Sequence, residues 1–246
     1  MASSSVCDVR WVEVAAVSSP TPRMRSIVLT GPALEGFALQ PGVIAPHVAV
    51  TIPSDDACAR QSRIYSVRRF DPVALTMEIN FVLHGGGLAS GWAERARPGD
   101  RAGIAGPGGL ALETVDRYVI AGDHTALPAI GRLLDVLPAG AGADVFVEVP
   151  DEAERQELPS RAGLSVTWLH RERGAPPVAS RLPDAVMEAT PAGGSGTVAV
   201  WTGAEQTVAR RIRSHARQTL KLPSGRHSVV AYWKAGVTQG GFQCYD

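Results

Sequence analysis

The chain changes its pattern once, across residues 106–116 (GPGGLALETVD). Before that point the apolar residues fall in short alternating runs. These are DVRWVEVAAV (8–17), MRSIVLT (24–30), HVAVTI (47–52), RIYSVR (63–68), LTMEINFVL (75–83) and residues 101–105. Each run is bounded by Gly, Pro, Asp or Ser, the punctuation of antiparallel strands. Six such strands, with one short helix expected at 88–96, predict a small closed barrel, which leaves no unpaired edge. After the change, strands expected at 118–121, 144–149, 164–169, 197–202 and 228–233 alternate with helices. Ile130, Leu133, Leu134 and Leu137 form a helical stripe in 126–137, and Val208, Ile212, Ala216 and Leu220 another in 205–220. A short charged helix is expected at 151–158, and TPAGGSG (190–196) reads as a loop. Strands alternating with helices predict right-handed crossovers and a doubly wound parallel sheet, which binds ligands beyond the carboxyl ends of its strands. The fold class is therefore β plus α/β: a six-stranded antiparallel barrel over residues 1–110, then a doubly wound parallel-sheet domain over residues 111–246.

Composition narrows the function. Lys+Arg and Asp+Glu are both 24, which argues against a general nucleic-acid binder, since that needs excess positive charge. Cys7, Cys58 and Cys244 are far apart, so no zinc or iron–sulfur motif exists, and so sparse a count suits a reducing compartment. MASSSVCDVR has no apolar stretch of the signal-peptide kind, and no run of about 18 apolar residues is present to span a membrane. A cytoplasmic protein without membrane contact is the expectation.

Three stretches can carry chemistry. In RIYSVR, Arg63, Tyr65 and Val67 share one strand face and Ser66 the other. A flat aromatic, a hydroxyl and a guanidinium suit a flavin: Tyr65 stacks on the ring, Ser66 bonds its N5/O4 edge, and Arg63 pairs with a phosphate. An ordinary amphipathic strand accounts for the same short pattern. In HGGGLASGWA, starting at His84, a glycine run meets a helix start and presents backbone N–H groups to an anion; a permissive hairpin turn reads the same way. In AGDHTALPAI, starting at Ala121, a loop at the end of the first parallel strand leads into a helix that Asp123 or Thr125 can cap. No G-x-G-x-x-G is present.

The order of these stretches resembles the ferredoxin-reductase-like flavoproteins. Within them the chain resembles the siderophore-interacting protein family, FAD-dependent NAD(P)H ferric-siderophore reductases. The matching stretches are PRMRSIVLTGPALEGF, HVAVTIP, RIYSVRRFD, INFVLHG, ASGWA, PGDRAGIAGPGG, GDHTALPAI and AYWKAG. The resemblance implies an FAD-binding barrel and an NAD(P)H-binding-type second domain. FAD would be bound by Arg63, Tyr65 and Ser66, its phosphates near Gly86, Gly87, Ala89 and Ser90. Val82 and His84 would line the ribityl chain, and Asp123, Thr125 and Ala126 would approach the adenosine. The chain departs from the family pattern at Asn80 (usually Asp), at Gly86-Gly87-Leu88 (usually Gly-Pro) and at His124 (usually acidic).

The implied reaction passes hydride from NADH or NADPH to the flavin and then single electrons to ferric iron in a chelate. It needs no protein ligand to iron and no catalytic side chain beyond the flavin. Lys234, just past the last strand, would attract an anionic ferric chelate. His170, Arg171 and Arg173 suit a cofactor phosphate, whereas Glu148, Asp151 and Glu152 suit a ribose hydroxyl and disfavour a 2′-phosphate, so the choice of nicotinamide stays open. Arg210, Arg211, Arg213, Arg217 and Lys221 read as a solvated helix face. A flavin reductase for an organic substrate, and a chelate-binding flavoprotein without a redox role, remain alternatives.

Overall fold

The computed structural model describes residues 9–53, 61–172, 174–193 and 197–238. Cys7, Asp8, Cys58, Arg173, Cys244 and positions 194–196 of the expected loop lie outside them. The chain divides into two compact units, Met1–Gly109 and Leu110–Asp246.

The first unit is a closed antiparallel barrel. Its strands are β1 (Arg10–Thr21), β2 (Met24–Thr30), β3 (His47–Ile52), β4 (Gln61–Asp71), β5 (Thr76–Val82) and β6 (Arg101–Gly108), in the order β1-β2-β5-β4-β3-β6. Period-two alternation turns the β-branched residues inward. Ile27 of β2 pairs with Ile79 of β5, which pairs with Val67 of β4, so one interior layer crosses three strands. All three side chains are fully buried. A single helix, α1 (Leu88–Arg95), follows β5. Its Ala89 and Ala93, one turn apart, pack into the barrel core beside Phe81.

The second unit is a five-stranded parallel sheet. It contains β7 (Arg117–Asp123), α2 (Leu127–Val136), β8 (Gly142–Val149), β9 (Gly163–His170), α3 (Leu182–Ala189), β10 (Val198–Glu205), α4 (Gln206–Ser214) and β11 (His227–Trp233). The strand order is β11-β10-β7-β8-β9. It reverses between β7 and β10, the switch point where open α/β sheets hold ligands. Gly122 of β7 and Gly203 of β10 pair there. Among the described residues no helix is long and apolar enough to cross a membrane.

Three local expectations are corrected. Residues 151–158 form one 3-10 turn, Glu152–Glu154, and no helix. Eight residues between Pro150 and Pro159 are too few to nucleate a stable helix unaided. Moreover, the Glu154 side chain is drawn inward, 3.0 Å from His124 Nε2. The helix expected at 205–220 is α-helical only to Ser214 and continues as a π turn, His215–Thr219. There His215 Nε2 lies 2.9 Å from Thr190 Oγ1 at the end of α3. α3 has no counterpart among the expected elements. It starts with Pro183 in the first turn, where a missing N–H costs nothing.

Candidate functional site

In the barrel, the β3–β4 ladder sets Arg63 opposite Val50, Tyr65 opposite Val48 and Ser66 opposite His47. Directly opposed residues share a face. Arg63 and Tyr65 therefore leave the strand on the side of the core valines, and Ser66 on the side of His47. Tyr65 heads a row of three rings. Its centroid is 4.3 Å from Phe81, which meets Trp92 of α1 edge-on at 5.7 Å. Burial pushes the Tyr65 phenol up to about 12, opposed in part by the charge of Arg63. The phenol is thus neutral at physiological pH and its hydroxyl is a donor. The Arg63 guanidinium is held only locally among the described residues, donating to the Ser62 carbonyl (2.9 Å) and to Gln61 Oε1 (2.8 Å). These are exposed bonds that a phosphate can replace with stronger, charge-assisted ones. Ser66 is buried despite its outward-facing position.

The glycine turn after β5 suits a phosphate. Gly85 and Gly87 have φ of +71° and +84°, and with ψ of 148° Gly87 occupies a region essentially closed to other residues. A Cβ on Gly87 would stand 3.3 Å from His84 Cε1, so the imidazole already uses that space. α1 begins at this turn with no side-chain cap, which leaves its first N–H groups to meet an anion. Ser90 Oγ accepts from His84 N at 3.2 Å and ties turn to helix. His84, Gly86 and Gly87 are exposed, whereas Ala89 and Ser90 are buried and offer backbone N–H groups rather than side chains. Val82, half-buried, closes β5 just before the turn. A neutral aromatic, a guanidinium in weak local contacts and an uncapped glycine-led helix start fit a flavin dinucleotide. Asn80 adds a buried Oδ1 with no hydrogen-bond partner among the described residues.

At the carboxyl edge of the parallel sheet the charged residues are engaged within the protein. Asp123 is buried and accepts four times. Oδ1 takes Thr125 N (3.0 Å) and the Thr125 hydroxyl, while Oδ2 takes Glu205 N (3.0 Å) and Trp233 Nε1 (2.7 Å). Burial raises the Asp123 carboxyl above its usual range, against the pull of the Thr125 and Trp233 donors and of Arg171. Glu205, also buried, accepts from Ala235 N (3.2 Å) and from Thr207 N, capping α4. Ala126 is fully buried, its methyl filling the space above Gly122 and Gly203. The nicotinamide-side candidates are likewise engaged. Glu148 accepts from Arg171 Nε (2.7 Å) and Arg181 N (2.9 Å). Asp151 caps its own turn, Glu152 pairs with Arg155, and His170 lies 3.2 Å from Arg155. The basic helix is not all solvated: Arg213 is 7% exposed and donates to the Val229 carbonyl. Lys234 follows β11 in a tight turn closed by Val237 N donating to its carbonyl at 3.1 Å.

Sequence reasoning missed Glu205, Trp233 and Glu154. The expected helix at 205–220 takes in Glu205, although its place between strand and helix is where a capping acceptor sits. Nothing local marks Glu154 as buried.

The model of the siderophore-interacting protein family matches residues 115–236, and that of the siderophore-interacting FAD-binding domain matches residues 47–111. A siderophore utilization protein from T. fusca superposes with a TM-score of 0.84 at 34% identity, over 94% of each chain. Ferric vibriobactin reductase of Vibrio cholerae is 29% identical over 184 residues, 73% of this chain and 67% of that one. The NADPH-dependent ferric-chelate reductase of Escherichia coli is 28% identical over 252 residues, covering 93% of this chain and 94% of that one.

Proposed function

Because this chain belongs to the siderophore-interacting protein family, we propose that it is an FAD-dependent NAD(P)H oxidoreductase that reduces ferric-siderophore chelates and releases iron as Fe(II). The observation that carries the reading is the barrel's pairing of R-x-Y-S with a glycine-led, uncapped helix start. The same reading assigns the FAD-binding role to residues 1–110 and the nicotinamide role to residues 111–246.

Bound FAD supplies one capability: converting a two-electron hydride donor into a source of single electrons for Fe(III). The protein's own groups bind and orient. Arg63 would neutralise phosphate charge, and the N–H groups of Gly86, Gly87, Ala89 and Ser90 would donate to the phosphates at the α1 N-terminus. The neutral Tyr65 ring, backed by Phe81 and Trp92, offers a rigid stacking face. Ser66 offers a hydroxyl to the polar edge of the ring system. Val82 and His84 flank the path between ring and phosphates. On the adenosine side, Thr125 and the backbone of 123–126 are the candidates, since Asp123 and Ala126 are occupied internally. Lys234 is the proposed receiver of anionic chelates. Hard oxygen donors hold Fe(III) far better than Fe(II), so reduction itself loosens the iron. The E. coli relative is NADPH-dependent by name, but Glu148 and Arg171 satisfy each other here, which leaves both nicotinamides as candidates. The sparse cysteines suit a reducing compartment and support a cytoplasmic setting for this reading.

The test is spectroscopic. The purified protein is expected to carry FAD, to bleach anaerobically with NADH or NADPH, and to recover its colour as a ferric chelate is added, with ferrous iron trapped. A protein that ignores FAD overturns the reading. Bleaching without transfer to any ferric chelate points to an organic substrate instead.

A further inference from the structure

Two buried carboxylates flank Lys234 without pairing with it. Trp233, the residue before, donates its indole N–H to Asp123 Oδ2 at 2.7 Å. Ala235, the residue after, donates its backbone N–H to Glu205 Oε1 at 3.2 Å. The two acids are themselves joined, since Glu205 N donates to Asp123 Oδ2. They stand at the carboxyl ends of β7 and β10, and Trp233 is in register with Glu205 across the β10–β11 ladder. Beyond Lys234 the chain reverses at once through Gly236, at φ +74°, and Val237. The residues on both sides of one cation, one through its indole and the other through its backbone N–H, are thus held by side chains from two other strands.

Burying two carboxylates costs free energy unless their oxygens are satisfied. Here Thr125 and Thr207 satisfy one oxygen of each acid, and the donors to the other oxygen lie next to Lys234 or between the two acids. The acids are also spent on N–H groups, and among the described residues no carboxylate forms an ion pair with Lys234. We infer that Asp123 and Glu205 are positioning residues, a clamp that fixes the turn carrying Lys234 while leaving its charge for an anionic ferric chelate. This rests on the reading of Lys234 as the chelate's contact. What the clamp supplies is preorganisation: a cation on an ordered turn loses less freedom when the ligand arrives.

The test is a double-mutant cycle on the FAD-loaded, oxidised protein, read by equilibrium binding without any electron donor. The probes are a trianionic ferric tris-catecholate and a neutral ferric tris-hydroxamate. Trp233→Phe removes the indole donor while keeping an aromatic ring, and Glu205→Gln replaces one accepting oxygen on the other side. Each is expected to weaken tris-catecholate binding by about 3–10-fold, the lower part of the range for directly coupled groups, and to leave tris-hydroxamate binding unchanged. Neither should add to the loss caused by Lys234→Ala. Losses that are equal for both chelates, that add to Lys234→Ala, or that are absent overturn the clamp while leaving Lys234 as the contact. If Lys234→Ala itself leaves tris-catecholate binding intact at low salt, the reading of Lys234 fails and the clamp falls with it.

Discussion

The imidazole of His47 occupies the space that a side chain on Gly108 would need: a Cβ there would stand 2.5 Å from His47 Nε2. The two residues pair across the β3–β6 ladder, and on its other side His47 pairs with Ser66. One glycine therefore sets where the ring beside the proposed flavin edge can lie.

Gly108→Ala is expected to destabilise the protein by about 1–3 kcal/mol, the usual cost of overpacking. At about 2–4 °C per kcal/mol for a chain of this size, the melting temperature should fall by several degrees. Adding His47→Ala should recover part of that loss, because the second change vacates the contested space. Additive losses in calorimetry would show that the two positions do not compete.

Burial pushes the His47 imidazole below its ordinary value of 6.5. In the unfolded chain the ring protonates as pH drops through that ordinary value, while in the folded protein it stays neutral to lower pH. The unfolded state then binds more protons, so stability falls with decreasing pH below about 6.5 and levels off once the folded ring also titrates. His47→Asn should flatten this part of the stability–pH curve without moving the part above pH 7. An unchanged slope in urea titrations between pH 5 and 7 would refute the assignment.

Gly87→Ala is expected to cost FAD more than it costs the barrel. Its backbone region carries a strain of about 1–3 kcal/mol for a side chain, and relief would swing the first N–H groups of α1 off the phosphate. Flavin content on purification should drop sharply. Far-ultraviolet circular dichroism should stay close to that of the parent. Full flavin occupancy in the variant would remove the turn from the proposed site.

Arg63→Ala should weaken FAD binding by about 1.5–3 kcal/mol, the range for a hydrogen bond to a charged group. Arg63→Lys should recover only part of this, because a point charge lacks the planar fork. Titration calorimetry on the apoprotein measures both. Wild-type affinity in Arg63→Ala would move the phosphate contact elsewhere.

Much of the architecture is legible along the chain because it depends on neighbours in sequence. β2 and β3 run over the residues that alternation predicts, Met24–Thr30 and His47–Ile52, and α1 starts at the expected Leu88. The glycine turn is legible too, since a positive φ is a local demand. The residues that failed to read locally are those whose partners are remote. Residues 151–158 carry helix-forming charges, yet Glu154 is pulled inward by His124 from another strand's loop. Arg213 belongs by pattern to a solvated face, but the carbonyl of Val229 claims it.

Periodicity and backbone preference act over a few residues, so the chain alone reveals most strands and helices, though not α3, together with the division into an antiparallel barrel and a parallel sheet and the glycine and R-x-Y-S stretches. Which charges stay available depends on contacts between distant parts of the chain. Asp123 and Trp233 are 110 residues apart and meet at 2.7 Å, and Glu148 lies 23 residues from the Arg171 that neutralises it. A buried charge is tolerated only when donors converge on it. That convergence is set by which strands lie side by side, here β7 between β8 and β10, and no stretch of the chain carries that order within itself.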